Sequence, residues 1–227
     1  AGQPTETVLA ADGVSCSVCH QATKEKLGTK ESFNAGFVVD HTQAPGQRRV
    51  FGPYLVDNGR ARVMRSASTF SPTEAAHIQS SEVCATCHTL FTHTLGPGGK
   101  VIGELPEQVP YLEWRHSAYV KEKSCQACHM PVEAGEPAIS SVVGQPRPHF
   151  SRHEFRGGNF FMPMMLNRFR DELGVTALTQ ELDATARNAI ETLETESARL
   201  SVDRAGLNGG VLTAVVAIEN LAGHKLP

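Results

Sequence analysis

The chain has 227 residues, a formal net charge of −3, and 6% aromatic residues against 20 Gly and 13 Pro. That length suits one domain or two small ones, and the acidic balance argues against nucleic-acid or acidic-membrane binding, which select basic patches. No stretch approaches the roughly 20 apolar residues of a membrane span. The opening Ala1-Gly2-Gln3-Pro4 has neither a basic nor an apolar leader segment and is expected to be a mature N-terminus.

All six cysteines fall in three copies of one pentapeptide. These are Cys16-Ser17-Val18-Cys19-His20, Cys84-Ala85-Thr86-Cys87-His88 and Cys125-Gln126-Ala127-Cys128-His129. Each reads C-x-x-C-H, the attachment signature of a c-type haem. On a helical turn, positions i, i+3 and i+4 share a face, so two thiols reach the two vinyl groups of one porphyrin while the histidine meets its iron. Paired C-x-x-C motifs also build zinc sites or thioredoxin-like redox pairs. Zinc needs no histidine after every pair and leaves a third pair over, and a disulfide framework scatters its cysteines. The expectation is three covalent haems, with His20, His88 and His129 as proximal ligands.

The first motif is followed by a Lys-rich turn at 24–30, read as a solvated face. Residues 32–65 are irregular, and His41 there is a loop histidine. Ser71-Pro72-Thr73-Glu74 has the form of a helix start, so a short helix carrying His77 should lead into the second motif. His77 is a candidate distal ligand on that segment. His93 follows His88 by five residues, too close to return to the same iron, and is a candidate for a neighbouring haem or for a propionate. Gly96-Pro97-Gly98-Gly99 is a turn. Pro110 to Tyr119 reads as a helix with the chain's one tryptophan, Trp114, and another candidate ligand, His116.

After the third motif, Met130 is too near its own proximal side to ligate. His149 and His153 would share a face if helical; His153 is the preferred distal ligand, with Arg152 and Arg156 suited to propionates. A Met-bearing helix is expected over 160–173 and a longer one over 179–200, the latter structural. Two strand-like runs, 199–203 and 211–219, flank a turn at 206–210 and should form a hairpin. A lone hairpin is marginal in water, so it should add to strands from elsewhere or be the edge of a larger β domain. His224 lies on a Gly-framed loop and completes the candidate ligands.

Several of these stretches together resemble a broad family of exported bacterial multihaem cytochromes c. They are Ser81 to Leu90, Glu113-Trp114-Arg115-His116-Ser117, Cys128-His129-Met130-Pro131, Arg152 to Asn159 and Asn220 to Pro227 with its Gly-His-x-x-Pro segment. The resemblance implies electron transfer through mostly bis-histidine haems, and commonly a β-sandwich domain beyond the Gly-His-x-x-Pro segment. The expected fold is mainly α with extensive loops and a haem-filled core, ending in a β-hairpin that starts a larger β domain. The expected division is a trihaem domain over 1–175, a long helix over 176–200 and a hairpin segment over 201–227. Haem attachment to this motif takes place outside the bacterial inner membrane, so the expected location is periplasmic or extracellular. Redox proteins, or a larger complex joined through the hairpin, are the expected partners. The alternative is a multihaem oxidoreductase with one five-coordinate haem acting on a small nitrogen or peroxide substrate.

Overall fold

The computed structural model describes residues 13–226. It corrects the expectation of a mainly helical, haem-cored fold: the chain is mixed, 35% helical and 23% strand, with eight short helices and three two-stranded sheets among the described residues. The turn expected at Gly96 to Gly99 is present, and it closes a strand pair that the sequence did not suggest. It joins β3 (Leu90–Leu95) to β4 (Val101–Gln108), with positive φ at Gly98 and Gly99 where a side chain would be strained. The Ala1–Pro4 expectation lies outside the described residues.

The chain divides into two compact units, Ala1–Leu112 with Ser140–Gly144, and Glu113–Ile139 with Gln145–Pro227. The first holds α1 (Cys16–Gln21), β1 (Arg49–Gly52), α2 (Asn58–Ser68), β2 (Ser71–Glu74), α3 (Ser81–Ala85), β3, β4 and the start of α4 (Pro110–Trp114). Here the expected helix at Ser71 is a strand: Ser71 to Glu74 pairs in parallel with Arg49 to Gly52. His77 follows on a 3₁₀ turn, Ala76–Gln79. The capping-box pattern lost to strand pairing, which supplies backbone partners that a single helical turn cannot. α2, which no sequence signal suggested, starts at Asp57, whose side chain accepts the Arg60 N–H at 3.0 Å.

The second unit holds α5 (Cys125–His129), α6 (Phe161–Arg168), α7 (Arg170–Leu173), α8 (Thr179–Thr195), β5 (Ala198–Asn208) and β6 (Val211–Asn220). The single helix expected over 110–119 is interrupted: α4 ends at Trp114, and a 3₁₀ turn, Ala118–Lys121, follows with Ser117 as its cap. The Met-bearing helix is split at Phe169, and Met162 and Met164 are exposed rather than core-filling. α8 buries Ala186 and Ala189, whose small side chains allow close packing, and Asn167 of α6 donates to Asp183 at 2.7 Å.

β5 and β6 form the expected hairpin, longer than its sequence signal. Gly209 and Gly210, both at positive φ, make the two-residue turn. A register shift at Asp203 keeps the side chains in phase, so Leu200, Val202, Ala205 and Leu207 lie opposite Ile218, Val216, Ala214 and Leu212 on one face. The larger of these are exposed, Leu200 at 69% and Ile218 at 67%. The cores are correspondingly small. Among the described residues the buried apolar side chains are Ala22, Phe51, Val83, Ala85 and Tyr111 in the first unit and Ala186 and Ala189 in the second. The accessible surface is 16,040 Å², against about 12,000 Å² for two separate globules of half this mass. No helix among the described residues is long and apolar enough to cross a membrane.

Candidate functional site: three Cys-x-x-Cys-His turns

Each pentapeptide sits on a short helical turn. In the first, α1 leaves Cys16 exposed and Cys19 half-buried. His20 donates from Nδ1 to the Phe51 carbonyl at 2.6 Å, since a carbonyl can only accept. That bond puts the proton on Nδ1 and leaves Nε2 as the lone-pair nitrogen of the ring. The Phe51 ring meets His77 edge-on at 4.9 Å, and His77 donates from Nε2 to the Ala22 carbonyl at 2.9 Å. His77 therefore stands beside the first motif, with Nδ1 as its remaining acceptor nitrogen.

The second motif starts in α3 and runs through one more turn, with His88 N–H bonded to the Cys84 carbonyl at 2.9 Å. Ser81, Val83, Ala85, Thr86 and Thr89 are buried, while Cys87 and His88 face outward. The segment after the first motif holds it in place. Asn34 N–H bonds the Thr89 carbonyl at 3.1 Å, Ala35 N–H bonds the Thr86 carbonyl at 2.6 Å, and the Asn34 amide closes a two-way pair with the Phe91 backbone, both bonds at 2.8 Å. Tyr111, 4% exposed, donates to Glu82 at 3.2 Å. The first two motifs are neighbours: burial first, then the charges of Cys87 and Cys16, push the Cys19 thiol up. His93 lies on β3 opposite Glu104, its Nε2 4.0 Å from the carboxylate.

The third motif is in the other unit. Ser124 caps α5, its hydroxyl accepting the Ala127 N–H at 3.4 Å. Burial is the main cause that pushes the Cys128 thiol up, against the opposing pull of Lys123. His129 is tied twice to one residue: its Nδ1 donates to the Arg156 carbonyl, and its own carbonyl accepts the Arg156 N–H at 2.9 Å. The segment carrying Arg156 folds back along 131–133 through bonds between Glu133 and Phe150 and between Arg152 and Pro131. It is irregular rather than helical, with His149 and Phe155 at positive φ, so His149 and His153 do not share a helix face, and both are exposed. Arg152 and Arg156 pair with carboxylates of the chain: Arg152 with Glu133 at 3.1 Å and Glu154 at 3.2 Å, Arg156 with Glu154 at 2.9 Å.

His224 comes to the third motif from the far end of the unit. Its ring centre is 6.1 Å from that of His129, with the planes 8° apart, and its Nδ1 donates to the Lys225 carbonyl at 2.9 Å. Glu113 holds this segment, accepting the Lys225 N–H at 2.9 Å and facing its ammonium at 3.2 Å. Burial pushes the Glu113 carboxyl up, but the Lys225 hydrogen bonds and charge, with His224, outweigh it and hold the group below its ordinary value. A Cβ on Gly223 would stand 3.2 Å from Trp114 Cδ1, so glycine lets the loop lie against the indole. His116, by contrast, is exposed on the turn after α4.

The donor set fits a porphyrin. The macrocycle supplies four nitrogens and needs only one or two axial histidines per iron, whereas a structural zinc site gathers four protein ligands. Among the described residues no three His, Cys, Asp or Glu side chains converge as a metal site, and none of the six cysteines is in a disulfide. Of the residues that orient the histidines, Arg156 was expected from sequence only as a propionate partner, and no such role was expected for Phe51, Glu113 or Lys225. They act mostly through backbone carbonyls, which carry no residue-type signal. No family model, no curated protein and no solved structure matches the chain.

Proposed function

We propose that the chain is an exported electron-transfer protein carrying three covalently attached c-type haems, mostly with histidine on both sides of the iron. The observation that carries this reading is the confinement of all six cysteines to three C-x-x-C-H turns. Cys16 and Cys19, Cys84 and Cys87, and Cys125 and Cys128 would hold the three macrocycles, with His20, His88 and His129 as the proximal ligands. Bound haem supplies one-electron redox chemistry at a potential set by its axial ligands, hydrogen bonds and burial.

The chain's own residues orient and tune. The carbonyls of Phe51 and Arg156 accept from Nδ1 of His20 and His129, which fixes each imidazole and raises its basicity toward a metal. The closeness of Cys19 to Cys87 supports placing the first two haems as neighbours in one unit. Redox proteins are the partners under this reading, in the periplasm or outside the cell. The exposed apolar face of the β5–β6 ribbon suits a larger complex or a further β domain.

The test is spectroscopic. Chain produced in a host with a haem-attachment system should retain haem through denaturing electrophoresis, three per chain by pyridine haemochrome. All the ferric haems should be low-spin and unchanged by cyanide or nitrite. A chain that carries no covalent haem refutes the proposal. A high-spin haem that binds nitrite or peroxide replaces electron transfer with the oxidoreductase alternative.

A further inference from the structure

We infer that His129 and His224 are the two axial ligands of one iron, the one held by the third motif, and that this site is built to keep their imidazole planes parallel. The inference rests on the haem reading above and adds a pairing that the three motifs do not contain.

The geometry matches. A metal–imidazole bond of about 2.0–2.1 Å plus roughly 1.1 Å from nitrogen to ring centre puts the centres of two trans imidazoles about 6.2–6.4 Å apart. The His129 and His224 centres are 6.1 Å apart. An offset aromatic pair spans a similar range, so the separation alone does not decide. Three further features do. His129 directly follows Cys128, the thiol that would fix the porphyrin edge. Both rings donate from Nδ1 to backbone carbonyls, of Arg156 and of Lys225, so both present Nε2 to a metal. Each carbonyl is itself held, Arg156 through its N–H on the His129 carbonyl and Lys225 through its N–H on Glu113. Two imidazoles clamped separately, with planes 8° apart, form a preorganised pair whose angle does not depend on direct contact between the rings.

The other candidates lack these features. His116 and His153 are exposed, whereas His224 is half-buried.

EPR and absorption spectra of the haem-loaded chain test this, with His224→Gly, His129→Gly, His116→Gly and His153→Gly compared. Parallel imidazole planes give a rhombic low-spin ferric signal, and perpendicular planes a single highly anisotropic feature. His224→Gly should convert one ferric haem in three to high-spin with the loss of one rhombic signal, the same signal that His129→Gly removes. Added imidazole should restore it in His224→Gly, which separates a lost ligand from a misfolded chain. His116→Gly and His153→Gly should leave the signal that His129→Gly removes in place. The pairing is overturned if His224→Gly leaves the spin states unchanged, if the two glycine variants remove different signals, or if the lost signal is of the anisotropic kind. Parent protein without covalent haem would instead refute the underlying reading.

Discussion

Thr89 follows the second motif's histidine and is 0% exposed, yet its Oγ1 has no hydrogen-bond partner among the described residues. A hydroxyl buried without a partner costs about 1–3 kcal/mol by protein mutational measures. Thr89→Val replaces it with a methyl group and keeps the β-branched shape, so the variant should be about 1–3 kcal/mol more stable than the parent. Thr89→Ser keeps the hydroxyl and removes the methyl, which should cost about 1 kcal/mol in lost burial and cavity. The two substitutions act in opposite directions at one atom-sized site. For a chain of this size each kcal/mol moves the thermal midpoint by roughly 2–4 °C. Urea denaturation of the haem-loaded protein followed by far-UV circular dichroism reads both variants on one scale. If Thr89→Val is less stable than the parent by about 1 kcal/mol or more, the hydroxyl is bonded in solution and the argument is wrong.

Three further outcomes follow from local geometry. Gly36→Ala would drive a Cβ into the Glu31 carbonyl oxygen, with that of Phe33 at 3.0 Å. It should cost about 1–3 kcal/mol in urea denaturation, while Gly52→Ala, with nothing within 4 Å, should change stability by less than about 0.5 kcal/mol. Asp57 caps α2, and the Arg60 N–H is the main cause that holds its carboxyl below the ordinary 3.8. Its contribution is therefore complete above that value and lost as pH falls through the lower folded-state value. The Arg60 amide shift in NMR should follow that titration, and an unchanged profile in Asp57→Asn would count against the cap. Val216 on the apolar face of the ribbon is 52% exposed, so Val216→Lys should leave the stability of the isolated chain within about 0.5 kcal/mol. A larger loss would mean the face is covered.

The helical turn at each C-x-x-C-H copy was legible because it is local. Two thiols and an imidazole at i, i+3 and i+4 need one helical turn, and the structure places a turn at all three copies. The hairpin was legible for the same reason: Gly209-Gly210 between alternating runs is a short-range signal. The strand at Ser71 was not, because Ser-Pro-Thr-Glu reads as a helix start until Arg49 to Gly52, some 20 residues earlier, offers a parallel partner. The exposed Met162 and Met164 show a related limit. Helical spacing of apolar residues marks a face but does not name what the face packs against.

The contact between Glu113 and Lys225 spans 112 positions and sets where His224 stands. Neither residue type advertises the pair, since Glu113 reads as an ordinary helix carboxylate and Lys225 as a surface lysine. The bond that matters most is also to the Lys225 backbone, which substitution of the side chain would leave in place. Lys225→Ala should therefore weaken the docking of this loop only modestly, as exposed ion pairs do. Glu113→Gln keeps an acceptor but loses the charge, and Glu113→Ala removes both. If His224 reaches the third motif because of that carboxylate, the disturbance of the haem spectrum should grow in the order Lys225→Ala, Glu113→Gln, Glu113→Ala. Equal effects from all three would mean that the β6 strand alone carries His224 to its place.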